Sequence, residues 1–166
     1  MQRWQPAYIG LGSNLEDPQR QVLRAWARLA GLPETLAVIR SPLYRSRPFG
    51  PVPQADFVNA VAGLLTRLDA GALLEALQAL ERALGRRRDG TRWGPRLIDL
   101  DLLVFGRERR ADGQLTLPHA GIVERNFVLY PLADIAPDLN VPGLGRVSEL
   151  KARLAPEGLW RIEPEE

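Results

Sequence analysis

The sequence predicts an α/β protein of the ferredoxin-like sandwich type, in which two helices cover one face of an antiparallel sheet. Three observations carry that expectation. Runs rich in apolar and β-branched residues recur near positions 5–11, 35–44, 57–65 and 97–105, and segments with helical apolar spacing fall after the first and third of them. The resulting order, β-α-β-β-α-β followed by a C-terminal elaboration, is that of the split β-α-β fold.

Gln5 to Leu11 reads as a strand running into a glycine-rich turn, Gly10, Leu11, Gly12, Ser13 and Asn14. The next segment spaces Val22, Leu23, Trp26 and Leu29 as one helical face, with Asp17 as a cap, Pro18 in the first turn and Gly31 past the end. Thr35 to Tyr44 and Phe57 to Leu65 read as two further strands. Between them SRPFGPVPQAD reads as a functional loop, with three prolines across positions 48 to 53 narrowing its backbone choices. A second helix starts after Asp69, where Leu73, Leu74, Leu77, Leu80 and Leu84 form an apolar stripe, Gly71 weakens the first turn and Gly85 follows the end. Beyond an arginine-rich loop, LIDLDLLVF reads as a central or partly covered strand. A short edge element near Leu115 to Leu117, a turn around His119, and short helices or strands over Phe127 to Leu132 and after Val147 complete the chain. With no internal repeat or dividing linker, its 166 residues read as one domain over positions 1–166.

Composition removes several function classes. The chain has no cysteine, which excludes disulfides, thiolate metal sites and cysteine nucleophiles, and its single histidine, His119, excludes an all-histidine zinc site. The lack of cysteine is compatible with an intracellular home but leaves the redox compartment undecided. No apolar run approaches a membrane span and the opening MQRWQPAYIGLGSNL lacks a signal peptide's apolar segment, so export has no visible device although composition does not exclude it. Charges nearly balance, 22 basic against 20 acidic, but every basic residue except Lys151 is an arginine. Local clustering therefore matters more than the net +2.

The sharpest cluster is RRRDGTRWGPRLIDLDLLVF at positions 86 to 105. In an extended segment, alternation puts Asp99 and Asp101 on one face and sends Ile98, Leu100 and Leu102 to the core. Two carboxylates so placed suit Mg²⁺, with phosphate oxygens and waters filling the rest of an octahedral shell. Arg82, Arg86, Arg87, Arg88, Arg92 and Arg96 precede or enter this strand and can surround a polyphosphate with multidentate donors. The bland alternatives are a solvent-facing strand paired to arginine and a solvated basic loop. Gly12, Ser13 and Asn14 could form an anion nest or a helix cap, but neither GxGxxG nor GxxxxGKS/T is present. Lys151, the only lysine, is remote from the cluster in sequence, so an ordinary P-loop NTPase or protein kinase would lack its central lysine.

Taken together, YIGLGSN, SPLYRSRPFG, DFVNA, LQALERALGR, RWGPRLIDLDLLVFG and PHAGIVERNFVLYPLADIAPDL resemble the 6-hydroxymethyl-7,8-dihydropterin pyrophosphokinase family over roughly positions 8 to 139. The resemblance implies a Mg²⁺-dependent cytoplasmic enzyme of folate biosynthesis that transfers pyrophosphate from ATP to the hydroxymethyl group of the reduced pterin, releasing AMP. It implies two Mg²⁺ ions held between the nucleotide and the matching Asp99 and Asp101, which count with Arg86 and Arg96 as catalytic. Candidates around ATP or the moving loops are Gln78, Arg86, Arg88, Arg92, Trp93, Arg96, Ile98, His119 and Arg125. Ser46, Arg47, Phe49, Phe57, Asn59, Trp93 and Phe127 fall near the pterin, with Phe57 and Phe127 as stacking partners and Asn59 as a directional hydrogen-bonding group. Trp93 could close over both substrates.

Two departures stand out. Arg47 occupies a position that is often proline in the family, and the familiar PHY becomes PHA at Ala120, so no tyrosine contact transfers there. The implied partners are ATP and the pterin, with no nucleic acid or membrane, and the expected state is a monomer. Two rival classes are an RNA-binding module, which would need salt-sensitive RNA affinity without AMP formation, and a metal-dependent phosphohydrolase, with water as acceptor.

Overall fold

The computed structural model describes residues 3–48, 50–85 and 97–164. The chain begins with strand β1 (Gln5–Ser13), helix α1 (Pro18–Leu29) and strands β2 (Thr35–Arg40), β3 (Tyr44–Ser46) and β4 (Phe57–Thr66). Helix α2 (Ala70–Ala83) and strand β5 (Asp99–Phe105) follow, then the small pair β6 (Arg110–Ala111) and β7 (Thr116–Leu117). A 3₁₀ turn (Ile122–Glu124) leads into α3 (Asn126–Ile135), then β8 (Asn140–Val141), β9 (Gly145–Arg146), α4 (Val147–Ala152) and β10 (Leu159–Arg161).

The main sheet runs β10-β3-β4-β1-β5, with β2 also paired to β4, and the pairings are antiparallel. With β2 and β3 taken as one interrupted strand, this is the predicted ferredoxin-like order: β1 between β4 and β5, each β-α-β crossover skipping one strand. β4 is buried almost continuously, as befits a strand covered on both faces.

One face carries α1 and α2. Val22, Ala25 and Leu29 of α1 and Leu73, Leu77 and Leu80 of α2 pack there against Ile9, Leu11, Leu100 and Leu102. The apolar spacing of both helices made this face legible. Asp69 caps α2 by accepting from the Ala72 N–H at 2.8 Å, and Gly85 leaves the helix at φ +96°.

The other face is covered by the last third of the chain, the region whose elements were hardest to assign from sequence. Val128, Leu129 and Leu132 of α3, with Val147 and Leu150 of α4, bury Val61, Leu103 and Val104. The expected C-terminal elaboration is thus a second helical layer packed against the sheet.

Three local expectations are corrected. Gly10 to Ser13 are strand rather than turn, paired with Val61 to Val58 on one side and, through Gly12, with β5 on the other. The run Thr35 to Tyr44 is broken at Ser41, Pro42 and Leu43; Pro42 has no N–H to give a ladder, while Ser41 Oγ takes the Val61 N–H at 2.9 Å. Asp17 precedes α1 without capping it through its side chain, because it stands in the left-handed region at φ 62°.

Candidate active site

The site is laid out by strand register. Asp99 pairs with Gly12 and Asp101 with Gly10, while on the other side of β1 Gly12 pairs with Asn59 and Gly10 with Val61. Residues in register, and those two apart along a strand, share a face. Asp99, Asp101, Gly10, Gly12 and Asn59 therefore occupy one face, with two side-chain-free positions between the carboxylates and the amide. A Cβ at Gly12 would stand 3.1 Å from Asn59 Oδ1. Glycine in a central strand is unfavourable for the strand itself and leaves room for a ligand to approach its backbone.

Alternation along β5 holds at its start and changes at a bulge. Ile98, Leu100 and Leu102 enter the helix-covered core as predicted. Between Tyr8 and Ile9 the pairing with β5 slips, leaving Leu103 as an extra residue, and Leu103 and Val104 both pack beneath the second layer. Asp99 is half-buried and Asp101 exposed. As an edge strand β5 has outward backbone groups to satisfy. The Leu100 N–H, between the two aspartates, donates to Glu81 Oε2 of α2 at 3.1 Å, and Glu81 is only 5% exposed.

Asn59 is fixed by a buried partner: its Nδ2 donates to Ser46 Oγ at 2.6 Å, with the two residues 5% and 3% exposed. That bond turns Oδ1 toward Gly12. Phe57 lies two residues earlier in β4, half-buried and opposite Ser46. At the end of β1, the Asn14 side chain faces the proline-rich loop. Its Nδ2 donates to Gln54 Oε1 at 2.8 Å and to the Ala55 carbonyl at 2.9 Å, tying the proline-rich loop to the strand.

His119 approaches from beyond the other end of β5, its N–H bonded to the Leu103 carbonyl at 2.8 Å. Its Nδ1 accepts from the Gly121 N–H at 3.1 Å, which leaves Nε2 as the protonated nitrogen of the neutral ring. Burial pushes the imidazole pKa below its ordinary value; the Asp101 charge pulls the other way and Arg125 adds to the lowering. Arg125 lies over the Phe127 ring at 5.8 Å and close against Gly121. His119 also borders a cavity of about 450 Å³ shared with Arg109, Thr116 and Ala120.

Asp99, Asp101, Ser46, Asn59 and Phe57 thus meet on one sheet face, with His119, Arg125 and Phe127 linked to it from the second layer. Three candidates are placed differently. Gln78 is on α2, on the opposite side of the sheet, one turn before Glu81 toward the β5 edge. Ile98 is fully buried in the core, so only its backbone can reach a ligand. Arg47 lies over the Trp160 ring at 5.4 Å. Phe49, Arg86, Arg87, Arg88, Arg92, Trp93 and Arg96 lie outside the described residues.

Glu81 escaped the sequence reading, although a signal existed: it stands four residues after Leu77, an acidic residue where the apolar stripe would continue. Among the described residues no group of three or more His, Cys, Asp or Glu side chains could hold a metal, and no helix is long and apolar enough to cross a membrane. Two strand carboxylates with an open floor are a sparse, all-oxygen donor set. That chemistry fits Mg²⁺, which takes one or two carboxylates and completes its shell with waters and substrate phosphates.

Residues 8–137 match the family model described as 7,8-dihydro-6-hydroxymethylpterin-pyrophosphokinase (HPPK). The chain is 49% identical over 158 residues to the 2-amino-4-hydroxy-6-hydroxymethyldihydropteridine pyrophosphokinase of Pseudomonas aeruginosa, covering 95% of this chain and 97% of that one. It is 45% identical over 157 residues to the enzyme of the same name from Methylorubrum extorquens, covering 95% and 98%. Among solved structures, wild-type Plasmodium falciparum HPPK-DHPS with pteroate superposes with a TM-score of 0.70 at 15% identity. That match covers 92% of this chain and 43% of the other, so the chain spans less than half of that longer protein, and at this identity the likeness concerns the fold alone.

Proposed function

The chain belongs to the 7,8-dihydro-6-hydroxymethylpterin-pyrophosphokinase family, and we propose that the aspartate-bearing face of its sheet is where that chemistry takes place. The enzyme carries out ATP-dependent pyrophosphoryl transfer to the hydroxymethyl group of a reduced hydroxymethylpterin. One observation carries the assignment of the site: Asp99 and Asp101 stand opposite glycines, across an open floor from the buried Asn59–Ser46 pair. An acidic side for a metal-bound phosphate chain and a directional polar side for a flat heterocycle then share one surface.

In this reading Asp99 and Asp101 hold Mg²⁺, two ions with nucleotide bound. Bound there, the metal would neutralise charge on the triphosphate. The pterin hydroxyl oxygen forms a bond to the β-phosphorus as its proton is released to water, while the bond from that phosphorus to the oxygen of the α-phosphate breaks and AMP departs on the far side. His119, whose neutral ring carries its proton on Nε2, donates to a phosphate oxygen, and Arg125 adds a cation beside it. Arg86, Arg88, Arg92 and Arg96 are assigned to the triphosphate and Trp93 to covering both substrates, on the strength of the family motif. Gln78 and the Ile98 backbone are assigned to the nucleotide at the β5 edge.

On the acceptor side, Asn59 presents Oδ1 to a ring N–H, with its orientation held by Ser46. Phe57 and Phe127 supply apolar faces for the pterin, with Phe49 assigned beside them. The reading extends to a single domain over 1–166 acting as a cytoplasmic monomer on small molecules.

Incubation with ATP, Mg²⁺ and reduced hydroxymethylpterin is the direct test. AMP and a pyrophosphorylated pterin are expected in equal amounts, abolished by EDTA and restored by Mg²⁺. Turnover insensitive to metal removal would remove the aspartates from the role assigned here.

A further inference from the structure

The two pterin-side walls proposed above, the end of β3 and the start of α3, are far apart in sequence, and the C-terminal segment joins both. On one side Asn126, the residue before Phe127, donates Nδ2 to the carbonyls of Ala155 and Glu157 at 3.0 and 2.9 Å. One turn on, the Tyr130 hydroxyl donates to the Leu154 carbonyl at 2.7 Å. On the other side Leu159 pairs with Ser46 in the β10–β3 ladder, and the Arg47 N–H donates to the Gly158 carbonyl at 2.9 Å.

The Arg47 side chain adds a second fastening. Its guanidinium lies 5.4 Å from the centre of the Trp160 ring, within cation–π range. Gly158 fits beneath its stem: the backbone there is left-handed at φ +68°, and a Cβ would meet the Arg47 methylenes at 3.3–3.5 Å. Proline at position 47 could make neither bond, having no N–H and no cation. Both the backbone N–H and the guanidinium of Arg47 thus have partners in the C-terminal segment.

We infer that residues 155–160 form a brace that sets the spacing of the two pterin walls, making Asn126 and Trp160 positioning residues for the acceptor substrate. The inference rests on the proposed pterin site. The contacts of the brace described above run to Asn126, Tyr130, Ser46 and Arg47, so its main expected effect is on the acceptor. Losing one fastening loosens a wall by the worth of roughly one hydrogen bond, about fivefold in affinity.

The test is steady-state kinetics with each substrate varied, alongside thermal unfolding, on Asn126→Ala, Asn126→Asp, Trp160→Leu and Trp160→Phe. Trp160 is 46% exposed, so its variants keep the question answerable even if Asn126 variants fold poorly. Expected are a KM for pterin raised about fivefold in Asn126→Ala, Asn126→Asp and Trp160→Leu, an unchanged KM for ATP, and recovery in Trp160→Phe, which keeps a ring under Arg47. Asn59→Ala and Phe127→Ala serve as wall controls. If the controls raise the pterin KM while the brace variants leave it unchanged, or raise both KM values alike, the brace is refuted and the site stands. If the controls leave the pterin KM unchanged, the site itself is misplaced and the brace falls with it.

Discussion

Glu81 accepts the backbone N–H of Leu100 at 3.1 Å, so a buried helix carboxylate holds the one residue that separates Asp99 from Asp101. β5 is an edge strand whose ladder runs to β1 on one side, and the Glu81 carboxylate helps fix the backbone that carries both aspartates. The consequences can be measured.

Glu81→Ala leaves the Leu100 N–H buried without this acceptor and is expected to lower stability by about 1–3 kcal/mol. Glu81→Gln keeps a carbonyl oxygen in place and should cost less. Urea unfolding gives both values, and Mg²⁺ titration in the presence of ATP should show weaker binding in Glu81→Ala. Equal stability and equal Mg²⁺ affinity in all three proteins would dissociate Glu81 from the strand.

Asp99→Asn and Asp101→Asn should each reduce turnover by roughly 100-fold or more through loss of charge at the metal. Asp101 is exposed, so Asp101→Asn should unfold at nearly the wild-type temperature. Coupled detection of AMP reads the first effect and calorimetry the second. Wild-type turnover in either variant would point to other metal ligands.

Gly12→Ala puts a methyl group 3.1 Å from Asn59 Oδ1. The amide must yield, and its bond to Ser46 leaves it little room to do so. The expected outcome is a pterin KM raised about tenfold, equivalent to roughly 1.4 kcal/mol, with a smaller change in the KM for ATP. A normal pterin KM would mean that the floor between Asp99 and Asn59 is not where the heterocycle sits.

In the nucleotide-free protein His119 should titrate below 6.5, mainly because burial disfavours the imidazolium. A depressed folded-state pKa means that the unfolded chain binds the proton more readily. The His119 contribution to stability is therefore present above 6.5 and lost as pH falls through the folded value. Proton NMR of this single histidine gives the midpoint directly, and a midpoint above 6.5 would show that the Asp101 charge outweighs burial.

Much of this architecture was legible from residue order. The stripes of α1 and α2, the Asp69 cap and the alternation of Ile98, Leu100 and Leu102 about two aspartates follow from periods of 3.6 and 2, which depend on neighbours in the chain. Less visible were features that depend on distant partners. Gly10 and Gly12 look like a turn until both flanking strands are in place, because glycine's preference for turns yields to two ladders of hydrogen bonds. The break at Ser41 and Pro42 combines a local cause, the missing Pro42 N–H, with a distant one, the Val61 N–H that Ser41 Oγ accepts. Glu81 is a misfit in an apolar stripe until the edge of β5 gives it a donor.

Residue order alone was enough for the family, the fold order and the pairing of Asp99 with Asp101, since each is written in contiguous motifs and short-range periodicity. Tertiary structure decided how the residues named by the resemblance are placed about them. It brought Asn59 and Ser46 across a glycine floor, carried His119 and Arg125 in on a second layer, and bound Arg47 to Trp160. Those relationships join residues up to 113 positions apart, where no local period reaches and only the closing of the sheet sets the distance.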